Sequence, residues 1–112
     1  MRYCLALDLK DDAELIARYE EFHREVWPDV IRHIREQGVS SMEIYRLGTR
    51  LFMVMETDDA VYDAERMAEA AQSNAVIQEW EALMWKFQAP TPWTPAGQKW
   101  VLMDRIFDLR QQ

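Results

Sequence analysis

The distribution of apolar and polar positions divides the chain into six elements. Tyr3 to Leu9 places Tyr, Leu, Leu and Leu on one parity and Cys4, Ala6 and Asp8 on the other, which predicts a strand. Asp11 or Asp12 is placed to cap a helix, and Asp11 with Glu14 has capping-box spacing with Asp in place of Ser or Thr. Leu15, Ile16, Tyr19, Phe22, His23 and Val26 open an apolar face that continues through Trp27, Val30, Ile31 and Ile34 to Gln37. Pro28 falls inside this pattern, where it lacks the N–H owed to Arg24 and its ring crowds the preceding turn, so a kink or break is expected there. Gly38 is suited to close the helix as the residue after its C-cap.

Two strands from Ser41 to Thr57 flank Leu47-Gly48-Thr49-Arg50, a hairpin turn in which Gly48 supplies the positive φ. The second of them, Leu51 to Met55, is apolar at every position and has to be covered on both faces. Asp58-Asp59 starts an alanine-rich helical stretch to about Ala71. Ser73 or Asn74 then caps a second piece bearing Val76, Ile77, Trp80, Leu83, Met84 and Phe87. Ala89 to Gly97 contains Pro90, Pro92 and Pro95 and reads as an ordered or semi-ordered loop, followed by a last strand from Lys99 to Leu109. Strand, helix, strand, strand, helix, strand is the split βαβ arrangement: an α+β, ferredoxin-like antiparallel sheet with two helices on one face. One helix layer leaves the other sheet face bare, and a second copy of the chain is the simplest cover, so a homodimer is expected.

Composition narrows the class. A chain of 112 residues with 49% hydrophobic and 29% charged residues is a single domain, 1–112, with a real core. Its formal charge of −7 lacks the basic footprint that nucleic acid requires. No apolar run is long enough to span a bilayer, and one cysteine, Cys4, allows no internal disulfide. Met1-Arg2-Tyr3 leads directly into the first strand without a cleavable leader, so a cytoplasmic setting is expected.

Candidate chemistry concentrates on Tyr19, His23 and Trp27. They recur every four residues and would stack an aromatic hydroxyl, an imidazole and an indole on one stripe beside a helix-breaking proline. A histidine on an apolar face also serves simply as a hydrogen-bonded filler; its company is what makes this one a proton-transfer candidate. Asp8, Glu43, Glu56 and Glu81 are the carboxylates available to partner it, Glu81 standing beside Trp80. His23 and His33 are ten apart, on different sides of a helix, with no zinc-binding motif around them. Three glycines supply no phosphate-cradling loop, and Cys4 stands without a nucleophile motif.

Tyr19-x3-His23-x3-Trp27-Pro28, the hairpin from Ile44-Tyr45 to Leu51-Phe52, and Gln78-x-Trp80 together resemble the L-rhamnose mutarotase family over nearly the whole chain. Those proteins are small cofactor-free sugar 1-epimerases that form dimeric α+β barrels. The resemblance implies a monosaccharide substrate, no cofactor, His23 as proton donor, and Tyr19 and Trp80 as sugar contacts. Met42 stands where the rhamnose-type pattern has a sugar-binding tyrosine, and Glu81 where it has a second consecutive tryptophan. Both departures resemble the branch associated with L-fucose, with Met42 and Glu81 as substrate contacts. Trp27 serves the sugar's C–H face or, equally, a core or an interface. Two other readings stay open: a cofactor-free oxygenase or isomerase on the same barrel, and a non-catalytic metabolite-binding module.

Overall fold

The computed structural model describes all 112 residues. Its elements are β1 (Arg2–Leu9), α1 (Ala13–Arg24), α2 (Pro28–Glu36), β2 (Val39–Leu47), β3 (Arg50–Thr57), α3 (Ala64–Gln72), α4 (Ala75–Trp85), β4 (Gln88–Ala89) and β5 (Val101–Leu102), followed by a 3₁₀ turn at Leu109–Gln111. The sheet runs β2-β3-β1-β4 with every pair antiparallel, and β5 joins β1 on the same edge as β4. This is the ferredoxin-like order that the element sequence predicts.

Alternation decides which sheet face meets the helices. Tyr3, Leu5 and Leu7 of β1 pair with Met55, Met53 and Leu51 of β3, and the same parity on β2 presents Met42 and Ile44. These side chains pack against the helix layer, and Leu7 and Leu51 are buried completely. Cys4, Ala6, Phe52 and Val54 point the other way, and no helix covers them.

Pro28 breaks the helix as its chemistry requires, but the break precedes it. α1 stops at Arg24, and Trp27, restricted by the following proline ring, takes extended angles (φ −51°, ψ 131°). Pro28 then serves as the first residue of α2, where a missing N–H costs nothing. Tyr19, His23 and Trp27 therefore do not share one helix. Of the two candidate caps, Asp12 is the one used, accepting from the amides of Glu14 and Leu15 at 3.0 Å. Gly38 closes α2 at φ +94°; a Cβ there would lie 2.8 Å from the Tyr62 amide nitrogen, so the position admits only glycine. The hairpin has a two-residue turn in which Gly48 alone has positive φ, the type II′ pattern.

Three further expectations are corrected. The third helix starts at Ala64 rather than at Asp58-Asp59, because Asp58 closes a turn instead: its carbonyl accepts from Val61 and Tyr62, and its side chain from the Ala60 amide. Asp63 is the real cap, accepting from the Arg66 amide at 3.1 Å. The second correction is at the fourth edge, where Gln88 and Ala89 pair with Leu9 and Asp8 before Pro90 ends the ladder. An excursion over residues 90–100 follows, tightened by the hydroxyls of Thr91 and Thr94. Last, the strand expected from Lys99 to Leu109 shrinks to Val101 and Leu102, extended by one bond from the Met103 amide to the Cys4 carbonyl. Beyond Met103 the chain leaves strand geometry, and Asp108 pairs with Arg105 and Arg110 and caps the final turn.

Candidate active site

Between the helix layer and the inner sheet face lies a cavity of about 750 Å³, within the range of small-molecule sites. Its floor is sulfur and hydrocarbon: Leu5, Met42, Ile44, Met53 and Met55. Polar groups converge on it from separate elements, among them Tyr19 and His23 from α1, His33 and Arg35 from α2, Glu81 from α4 and Gln88 from β4, with the indoles of Trp80 and Trp100 beside them. A second hollow of about 420 Å³ reaches Tyr19 and His23 from another side, edged by the exposed Glu20, Arg24, Tyr45 and Arg46.

His23 is held between two aromatic rings, 4.3 Å from the Tyr19 ring centroid and 5.7 Å from that of Trp80. Its Nδ1 lies 2.8 Å from the Tyr19 carbonyl oxygen. A carbonyl only accepts, so Nδ1 carries the proton and the neutral ring presents a free lone pair at Nε2. Burial lowers the imidazole below its ordinary value, and the Tyr19 carbonyl only partly offsets this, so the ring is mainly neutral at pH 7. Tyr19 is 3% exposed, and burial raises its hydroxyl above the usual tyrosine value, so it stays protonated. Its hydroxyl oxygen accepts from Gln88 Nε2 at 3.2 Å.

Trp80 is buried and supports the imidazole edge-on, braced in turn by Phe22 at 6.4 Å and Trp27 at 5.1 Å between ring centroids. Trp27 lies behind Trp80 and is not among the cavity-lining residues, a consequence of the break before Pro28. Met42 lines the floor. Glu81 stands at the rim, its carboxylate held by Lys99 Nζ at 2.8 Å; the same ammonium bonds the Glu81 carbonyl at 3.0 Å and lies over the Trp85 ring. Lys99 thereby fastens the 90–100 excursion to α4, and Trp100, the next residue, reaches the cavity wall. The other carboxylates lie elsewhere: Asp8 pairs with Arg50, Glu43 with the Tyr45 hydroxyl and Glu56 with Arg2.

Spacing along the sequence marks none of Gln88, Lys99 and His33 as a site residue. Ten residues of one straight helix would put His33 on another side from His23 and keep them apart. The break at residues 25–27 reorients α2, and both histidines line the same cavity.

The fold and site define a small α+β protein with a ferredoxin-like antiparallel sheet and a neutral histidine lining a cavity walled by aromatic rings. A family model described as L-rhamnose mutarotase matches residues 2–109, and the chain belongs to that family of carbohydrate isomerases. An L-fucose mutarotase of Xanthomonas campestris pv. campestris is 45% identical over 112 residues, covering 98% of this chain and 89% of that protein. A UPF0734 protein of Dictyostelium discoideum is 36% identical over 113 residues, covering 96% of this chain and 88% of its own. Among solved structures, an L-rhamnose mutarotase from Formosa agariphila superposes with a TM-score of 0.69 at 16% identity, covering 97% and 98% of the two chains. Tetracenomycin F2 cyclase from Streptomyces glaucescens follows the same fold, with a TM-score of 0.61 at 21% identity and coverage of 96% and 97%. These two likenesses concern the fold, which hosts more than one chemistry.

Proposed function

We propose that this protein interconverts the α and β anomers of a 6-deoxy-L-aldopyranose, with L-fucose preferred to L-rhamnose, and that His23 moves the proton. The observation that carries the reading is the His23 geometry: Nδ1–H anchored on the Tyr19 carbonyl, Nε2 free, the ring neutral and lining the cavity. Ring opening removes the proton of the anomeric hydroxyl and adds one to the ring oxygen as the bond from C1 to that oxygen breaks. Neutral His23 takes the first proton at Nε2 and, as imidazolium, is the donor for the second. Rotation about the C1–C2 bond and the reverse steps close the ring on the other face, so no atom is gained or lost. General acid–base catalysis of this kind contributes roughly 10²–10⁴-fold, and needs no cofactor. Trp80 would take the sugar's C–H face, Tyr19 and Glu81 its hydroxyls, and Met42 would leave space where the rhamnose-type pattern has a tyrosine.

The preference for L-fucose is supported by the identity to the Xanthomonas protein and by Met42 and Glu81 at the two departing positions. Exchange NMR on equilibrated L-fucose and L-rhamnose, with catalytic amounts of protein, tests it. The α/β exchange of L-fucose should be accelerated more than that of L-rhamnose; no acceleration of either sugar would remove the mutarotase reading. The same measurement taken against pH carries a sign. Because burial lowers the His23 pKa, the competent neutral form persists from pH 8 down through neutrality. Exchange should therefore be flat above the ordinary histidine value of about 6.5 and fall only below it. A rate that rises as the pH drops through 6 would contradict a neutral imidazole as the working form.

The working unit is a homodimer, and its setting is the cytoplasm, where a lone thiol stays reduced. No helix is long and apolar enough to cross a membrane. The dimer is supported by the outer sheet face, where Cys4, Ala6, Phe52 and Val54 have no helix over them, and by the tail. Ile106, Phe107 and Leu109 are 96%, 64% and 75% exposed in the single chain, an apolar arm suited to a second copy. Sedimentation should give a dimer, and Val54→Asp, at the centre of that face between Cys4 and Glu43, should give a monomer. A monomeric wild-type protein would contradict this.

A further inference from the structure

A count of donors and acceptors beside His23 leaves two groups unspent. Gln88 is 5% exposed and lines the cavity, fixed by the pairing of β4 with Leu9. Its Nε2 donates to the Tyr19 hydroxyl oxygen, so that oxygen is engaged as an acceptor while the tyrosine's own proton has no acceptor in the protein. The carbonyl Oε1 of Gln88 is buried and has no partner either. Buried acceptors are nearly always paired, and the other buried polar groups near the sheet conform: Thr57 donates to the Asp59 carboxylate, and Thr91 bonds Thr94. Gln37 Oε1 is the other unpaired acceptor, and Gln37 does not line the cavity. Of these two fully shielded and unpaired side-chain oxygens, only that of Gln88 belongs to a residue of the cavity wall.

We propose that Gln88 is a substrate-recognition residue that, with Tyr19, reads one hydroxyl of the sugar. Its amide nitrogen turns the Tyr19 hydroxyl into an outward donor, and its Oε1, shielded in the free protein, is the matching acceptor once the side chain turns toward the sugar. A sugar hydroxyl is complementary to that pair because it accepts one hydrogen bond and donates another. Burial keeps the tyrosine protonated, and hence a donor, at neutral pH. A site built to bond a hydroxyl discriminates strongly against an analogue lacking it, because its own buried groups are then left unpaired. The amide thus sets which hydroxyl pattern is accepted, while His23 does the chemistry; this inference rests on the mutarotase reading.

The test uses α/β exchange kinetics on L-fucose and its singly deoxygenated analogues, with the wild-type protein, Gln88→Leu and the near-isosteric Gln88→Met. The substitutions should raise KM for L-fucose about tenfold, the worth of a hydrogen bond to a buried group, with kcat changed less. For one deoxy analogue, the one missing the hydroxyl that is read, wild type and variants should perform alike, while the penalty persists for the others. A penalty equal across all analogues, or none with L-fucose, would overturn the proposal. The wild-type protein also decides without any variant. The Gln88 side-chain amide resonances should shift on adding L-fucose and stay in place with the matching deoxy analogue; resonances unmoved by L-fucose would overturn it. Should the wild type accelerate exchange of no sugar, the mutarotase reading fails, and the amide shifts still decide recognition by themselves.

Discussion

His23→Ala is expected to remove catalysed anomer exchange, lowering the rate by roughly 10²–10⁴-fold, the usual contribution of a positioned acid–base group. The fold should survive, because His23 is only half-buried and its one protein hydrogen bond is to a carbonyl of its own helix. Stability should thus change modestly while turnover collapses. Exchange NMR for the rate, with circular dichroism and thermal melting for the fold, separates the two effects. A folded His23→Ala protein that kept wild-type exchange would transfer the proton-moving role to another group.

The second large effect is expected at Trp80. It belongs to the buried cluster with Tyr19, Leu51, Ile77, Met84 and Phe87, and meets the rings of Phe22, His23 and Trp27 edge-on. Truncating a buried indole forfeits its transfer energy and leaves a void that packed neighbours fill poorly, so Trp80→Ala should cost about 3–5 kcal/mol. Denaturant unfolding measures this directly. The imidazole would also lose one of the two rings that hold it, so exchange should fall as well. Trp80→Phe should recover much of the stability, and would show how far the indole itself matters to the sugar. A loss below about 1 kcal/mol for Trp80→Ala would mean that the aromatic cluster is not tightly packed.

Much of this architecture is legible in the chain, for local reasons. The alternation of β1, the capping residues Asp12 and Asn74, Gly38 and the Gly48 turn all act within a few residues, and each is found at work. The Tyr19–His23 pairing is one helical turn and is equally local. Trp27 departs from the helical stripe because Pro28 acts on the residue before it, ending α1 early and moving the indole behind Trp80. Asp58 and Asp59 resemble a helix start, but the first closes a turn and the second bonds the N-terminal ammonium across the sheet end, a partner remote in sequence. The final strand ends early although its alternating apolar residues fit one: the chain leaves the edge after Leu102, and Asp108 takes partners only two and three residues away, Arg110 and Arg105.

The polar side of the cavity is the least legible part. Gln88 lies between Phe87 and Ala89 with nothing in its spacing to mark it, and it acquires meaning only when β4 pairs with β1 and brings it to Tyr19, 69 residues away. Lys99 is similarly assigned to Glu81 by the excursion that carries it, not by any periodicity. Sites assembled from several elements distribute their signal in this way. The histidine and its aromatic neighbours mark the candidate site in the sequence, while the groups proposed to read the substrate are gathered by topology.

The proposed catalysis requires one protonation pattern, an uncharged imidazole whose free nitrogen meets the sugar. Long-range ¹H–¹⁵N correlation spectra of His23 at neutral pH, recorded as L-fucose is added, measure it most directly. The expected spectrum has the proton on Nδ1, a bare Nε2 that titrates below the ordinary histidine value, and an Nε2 resonance that moves as the sugar binds. A proton on Nε2 in the neutral ring, or an Nε2 signal indifferent to saturating sugar, would contradict it.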